Sequence, residues 1–133
     1  MKPPIRIELP IPPSVNNLFF NAGGKRIISA NYLCWKSDAG WRVRQQKPAE
    51  FIVPVALTLT ILGGKGFPIN RDLDNCWKAV QDLLKELCVI PGDSVVWVRE
   101  LHSYYLPPAD KKQAARCWVE ITEADPLTEG DTH

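Results

Sequence analysis

Seven apolar residues, Leu73, Cys76, Trp77, Val80, Leu83, Leu84 and Leu87, recur at spacings of three and four. That spacing puts one continuous apolar stripe on a helix, which must then be buried against another layer. Asp74, Lys78, Asp82 and Lys85 occupy the opposite face, so the pattern predicts an amphipathic helix over 73–88. What flanks it has a different period. Val53, Val55, Leu57, Leu59 and Ile61 alternate with Pro54, Ala56, Thr58, Thr60 and Leu62. A period of two is that of a strand, and Pro54 suits a strand start or a sheet edge.

The remaining elements follow from the same two periods. Ile5–Leu9 alternates and reads as a first strand. Ser29 can cap a helix reaching about Gln46, with Tyr32, Trp35, Ala39 and Val43 inward and Lys36, Arg42 and Arg44 towards solvent. Residues 95–105, rich in β-branched and aromatic side chains, form a strand, and Ala115, Cys117, Val119 and Ile121 mark a last one. Pro10–Asn17 reads as an ordered loop and Ala22-Gly23-Gly24-Lys25 as a turn. The expected class is α+β, one domain over 1–124, with two main helices on a mixed β-sheet in the order β-α-β-α-β-β. Residues 125–133 lack apolar content and read as an acidic, flexible tail.

Charge and composition narrow the functional classes. The chain of 133 residues has a net charge of +1, which conceals an asymmetry. Glu120, Glu123, Asp125, Glu129 and Asp131 give the C-terminal end a charge of −5, whereas residues 21–50 carry a local +4. A basic body suits a phosphate-bearing partner, although many solvated surfaces share that balance. Neither Gly-rich segment matches a phosphate-binding P-loop. The scattered Cys34, Cys76, Cys88 and Cys117 lack the spacing of a zinc site, and Cys76, Cys88 and Cys117 fall on faces read as buried. No run reaches the roughly 18 apolar residues of a membrane span, and the N-terminus lacks a signal-peptide core, so the expected compartment is the cytoplasm.

The chemistry concentrates in Asn70-Arg71-Asp72-Leu73-Asp74-Asn75-Cys76-Trp77-Lys78. Two carboxylates one residue apart at a helix start can converge on a hard cation such as Mg²⁺, which takes oxygen ligands. Lys78, four residues after Asp74, could reach a phosphate oxygen from the same face. Asp93, after the Pro91-Gly92 turn, could join them if the fold brings it back. A structural account fits the spacing better. Asp72 can cap the helix, Asp74 suits its dipole, Asp74–Lys78 is an ordinary i,i+4 pair, and Asp93 is an ordinary turn residue. Trp35 and Trp77 lie on apolar faces and read as core. Trp41, Trp97 and Trp118 are left open between packing and base stacking. His102 reads as structural, and Tyr104 and Tyr105 either pack or join a dimer interface.

The run Arg71-Asp72-Leu73-Asp74-Asn75, then Lys78, then Asp93 followed by Val95-Val96, closely resembles the RusA family of Holliday junction resolvases. So do Pro12-Pro13-Ser14 and Asn16 after a first strand, and the helix opening at Ser29. The resemblance covers the chain to about Thr122. It implies a homodimeric, magnesium-dependent endodeoxyribonuclease that resolves four-way DNA junctions by paired nicks in recombination and repair, in bacteria or their prophages. Carried over by position, Asp72, Asp74 and Asp93 would hold Mg²⁺ and, with Lys78, form the catalytic set. Ser14, Asn16, Asn17, Arg71, Asn75 and Lys78 would meet DNA. The chain departs from the family in carrying a single charge across 67–71 and in placing Val15 inside the Ser-Asn loop. The alternatives are a junction-binding protein without cleavage and a nuclease acting mainly on flaps or forks.

Overall fold

The computed structural model describes residues 3–125; the expected tail lies, from residue 126 onward, outside the described residues. The chain runs β1 (Ile5–Leu9), β2 (Phe19–Ala22), β3 (Lys25–Ile28), α1 (Ala30–Gln46), β4 (Val55–Leu62), α2 (Trp77–Glu86), β5 (Val98–Leu106) and β6 (Arg116–Glu123). It is α+β, with two helices against a four-stranded mixed sheet ordered β1-β6-β4-β5. Among the described strands only the β4–β5 pair is parallel; β6 runs antiparallel to both β1 and β4.

The sheet is two-faced because its strands alternate. Leu57, Leu59 and Ile61 of β4 and Val119 and Ile121 of β6 are fully buried in one core with Val80 and Leu84 of α2 and Ala39 of α1. Each such side chain contributes about 1.5–3 kcal/mol relative to exposure. Pro54 stands one residue before β4, where its missing N–H costs no ladder bond, although β4 is an interior strand.

α1 has the expected bounds. Its cap is explicit, with Ser29 Oγ accepting from Tyr32 N at 3.1 Å and donating to Asn17 O at 2.8 Å. Trp35 and Trp77 are core, as the apolar stripes indicate. The second helix is shorter than its apolar stripe. Asp74–Cys76 forms one 3-10 turn before α2 begins at Trp77. Asp72, Asp74 and Asn75 are poor helix-interior residues, because their short polar side chains compete for the backbone. At the other end Cys88 takes a left-handed conformation (φ 61°), with Cys88 N donating to Lys85 O and Val89 N to Leu84 O. This Schellman closure turns Cys88 outward, so it is exposed where the helical period had placed it inside.

Three further expectations are corrected. The Gly23-Gly24 turn belongs to a hairpin, β2–β3, so the order is β-β-β-α-β-α-β-β. Both glycines have positive φ, 58° and 77°, which a two-residue hairpin turn requires. The fifth strand begins at Val98 rather than at residue 95, because Trp97 N and Val98 N both bond to Ser94 O and close a turn there. Asp93 therefore lies in a loop and does not begin a strand.

Candidate functional site on the crossover between two parallel strands

Parallel neighbours need a crossover connection, and here it is the loop 63–73, the Asp74–Cys76 turn, α2 and the loop 87–97. Asp72 and Asp74 stand on its first loop and turn, above the C-terminal end of β4. The loop is held from below and from the side. Arg71 donates to Pro12 O at 2.5 Å, and its guanidinium carbon lies 5.1 Å from the Phe67 ring centroid. That bond ties the aspartate loop to the proline-rich loop after β1. Trp77 Nε1 donates to Ser103 Oγ at 2.7 Å, which seats the start of α2 on β5. Phe67, which packs on Tyr105 with centroids 6.0 Å apart, was not singled out in the sequence. An aromatic beside Pro68, four residues before the arginine, was its only local signal.

Ser14, Asn16 and Asn17 approach the same place. Ser14 caps the Val15–Asn17 turn through Asn16 N at 3.3 Å, and that turn lies against the Asp74–Cys76 turn and the start of α2. Asn16 and Asn17 are exposed beside the carboxylates. Asn75 is half-buried there, and its Oδ1 is sealed from solvent without a hydrogen-bond partner. The thiol of Cys76 lies under the loop. Its burial pushes its pKa up while Arg71 pulls the other way, which suits a packed neutral thiol rather than a ligand.

The capping account fails on geometry. Leu73, not Asp72, precedes the 3-10 turn, and no side chain caps that turn or α2. Asp74 does not pair with Lys78. Asp74 opens the 3-10 turn while Lys78 lies in α2, and Lys78 bonds Asp82 one turn onward at 3.2 Å. Asp72 and Asp74 have no hydrogen-bond or ion-pair partner for their carboxylates among the described residues, and both are exposed.

Asp93 is elsewhere. Its carboxylate lies 3.6 Å from Lys85 Nζ, in the last turn of α2. The ten residues of α2 span about 15 Å at 1.5 Å each, so the helix stands between Asp93 and the other two aspartates. Among the described residues no group of three or more His, Cys, Asp or Glu side chains is placed to hold a metal ion. Asp72 and Asp74 stand two residues apart on this loop and turn, but one chain does not bring Asp93 to them. Mg²⁺ is commonly held by one or two carboxylates with substrate phosphates and water, so Asp72 and Asp74 fit part of such a set, which Asp93 does not join within one chain.

The basic segment is partly neutralised. Arg42 pairs with Asp38 at 3.1 Å and Lys36 with Glu86 at 3.0 Å. Lys25 and Arg26 extend on the β2–β3 hairpin, which rises next to the Ser-Asn turn. No described helix is long and apolar enough to cross a membrane.

The fold and site define an α+β protein that presents unpaired carboxylates on a parallel-strand crossover, flanked by a polar loop and a basic hairpin. No protein-family model matches the chain. It is similar to crossover junction endodeoxyribonuclease RusA of Aquifex aeolicus (strain VF5), with 28% identity over 99 residues, covering 72% of this chain and 73% of that protein.

Proposed function

We propose that the protein is an endodeoxyribonuclease acting on branched DNA, with four-way junctions as its preferred substrate and Mg²⁺ as its ion. The observation that carries the reading is that, among the described residues, the carboxylates of Asp72 and Asp74 have no hydrogen-bond or ion-pair partner. Carboxylates that neither cap nor pair give the fold nothing, and here they stand in a chain similar to a junction endonuclease. Phosphodiester hydrolysis needs charge placed around phosphorus and an oriented backbone. Lys78, half-exposed and held only by a surface ion pair, is free to exchange Asp82 for a phosphate oxygen. Asn16 and Asn17 offer amide donors to the same strand, and phosphate contacts of this kind position DNA without reading its sequence. Lys25 and Arg26 extend the positive surface along one arm.

One observation favours a second reading, binding without cleavage: a lone chain keeps Asp93 away from the other carboxylates. A single experiment separates the two. Labelled four-way junction, flap and linear duplex are incubated with the protein in Mg²⁺, in EDTA, and with the Asp74→Asn variant. Nicks confined to the junction, lost in EDTA and in the variant, are expected. Tight junction binding with no nicks under any condition would move the protein to the binding class.

A further inference from the structure

The strands of the β2–β3 hairpin alternate, so Phe19, Asn21, Arg26 and Ile28 share one face and Phe20, Ala22, Lys25 and Ile27 the other. The first face is accounted for by packing. Phe19 meets the Tyr32 ring edge-on with centroids 5.9 Å apart, Ile28 packs on the core, and the Arg26 guanidinium lies 3.9 Å from the Phe19 centroid. The second face points away from that core. Phe20 and Ile27 stand directly opposite each other on it, 51% and 38% exposed, and Lys25 borders them at the tip. An apolar pair aligned on a projecting element beside a cation differs from a surface side chain scattered singly, and marks a contact surface.

We propose that this face reads the branch in DNA: Phe20 and Ile27 stack on the base pair at the point where strands part, while Lys25 and Arg26 hold the phosphates beside it. The inference rests on branched DNA being the substrate. A base pair inside a linear duplex has a stacking neighbour on each side. At a branch the next pair can swing away, so an apolar side chain seats there without the unstacking that an inserted Phe or Ile must pay for in an unbroken helix. Charge selects the same partner. From Leu9 to Ser37 the chain has no Asp or Glu, whereas it carries Lys25, Arg26 and Lys36, which suits a polyanion.

The position of the hairpin agrees. Its ends are joined by Ser29 N donating to Leu18 O at 2.9 Å, and Ser29 Oγ donates to Asn17 O at 2.8 Å. The hairpin thus springs from the turn that lies against Asp74–Cys76. Phe20 is three residues beyond Asn17, hence at most about 11 Å from it even in an extended chain. That is about three steps of 3.4 Å along a DNA strand. A strand seated on Asn17 beside the carboxylates therefore has its branch within reach of Phe20, and cuts should fall within a few nucleotides of that branch.

The full chain is titrated in EDTA with labelled four-way junction and with linear duplex of the same sequence. Phe20→Thr with Ile27→Thr keeps strand-forming residues in the hairpin, and circular dichroism checks the fold. Junction affinity should fall about tenfold, as for one lost aromatic–base stack, while duplex affinity stays unchanged. Phe20→Trp should keep the junction preference. Lys25→Gln with Arg26→Gln should weaken binding of both DNAs and flatten the salt dependence by about 0.9 decade per decade of salt for each phosphate lost. An iodouracil in the pair flanking the branch should photocrosslink to Phe20, and the same base inside an arm should not. A pair that merely stabilises its own hairpin would lower both affinities together and give no crosslink, which would overturn the proposal. So would a dimer that falls to monomer on the double threonine substitution, because the face would then belong to a second copy. Branch-specific crosslinking by a protein that never nicks DNA in Mg²⁺ would leave the branch contact standing and remove the endonuclease reading. Junction nicking with the preference unchanged by Phe20→Thr and Ile27→Thr would do the reverse.

Discussion

Lys78 shows how little a surface contact reveals about a residue's purpose. It is half-exposed and bonds Asp82 at i,i+4, an arrangement worth about 0.3–0.5 kcal/mol. If that pair were its whole role, Lys78→Ala would leave both melting temperature and activity almost unchanged. As the cation that meets developing charge on the phosphate, it should cost about 10²–10³ in rate when removed. Single-turnover cleavage at saturating enzyme, with thermal melts alongside, separates the two. A loss smaller than about threefold would return Lys78 to the solvated surface. Arg71 is the contrasting case. Its Nη2 bonds Pro12 O and its guanidinium lies over the Phe67 ring, which ties the two loops together, while its buried Nε has no hydrogen-bond partner among the described residues.

At the scale of elements, the site is assembled by turns rather than by regular structure. Ser29 serves two of them, capping α1 and holding the end of the Val15–Asn17 turn. Ser29→Ala should cost about 1 kcal/mol as a lost cap. It should also release the polar loop beside Asp74, weakening junction binding more than the stability loss accounts for. Denaturant melts with fluorescence anisotropy measure both, and binding that stays at wild-type level would detach that loop from DNA. Gly92 plays a comparable part. A Cβ there would meet Trp97 Cδ1 at 2.8 Å, so only glycine lets the loop carrying Asp93 fold over the indole.

At the scale of the whole molecule, the core makes stability sensitive to alkali. Burial pushes the Cys117 thiol up to about 12, and burial followed by the charges of Asp82 and Glu86 pushes the Tyr32 hydroxyl up to about 12. In the unfolded chain these groups titrate from 9.0 and 10.0. A raised folded-state value means the folded protein keeps its protons longer. The contribution is whole below the unfolded values and is lost as pH rises towards the folded ones. Melting temperature should therefore be level around neutrality and fall between about pH 9 and 12. Cys117→Ala should remove part of that fall, and an unchanged alkaline profile would place the thiol outside the linkage.

Much of this protein was written locally. The period-two and three-to-four patterns located the described helices, the parts of the strands that face the core, and the α+β class, because a side chain's face depends only on its own element's repeat. The Asp72–Asp74 pair and the Ser29 cap were equally local. Of the β2–β3 hairpin only the Gly23-Gly24 turn was read, because each flanking run of four residues is too short for periodicity to speak. What the sequence could not contain was the distance between Asp93 and the other aspartates. That depends on β4 and β5 being parallel, and on a helix standing between their opposite ends. Pairing direction is chosen by the packing of the whole sheet against both helices. Spacing along the chain can thus nominate three carboxylates, while only the tertiary structure sets Asp93 at the far end of α2 from the other two.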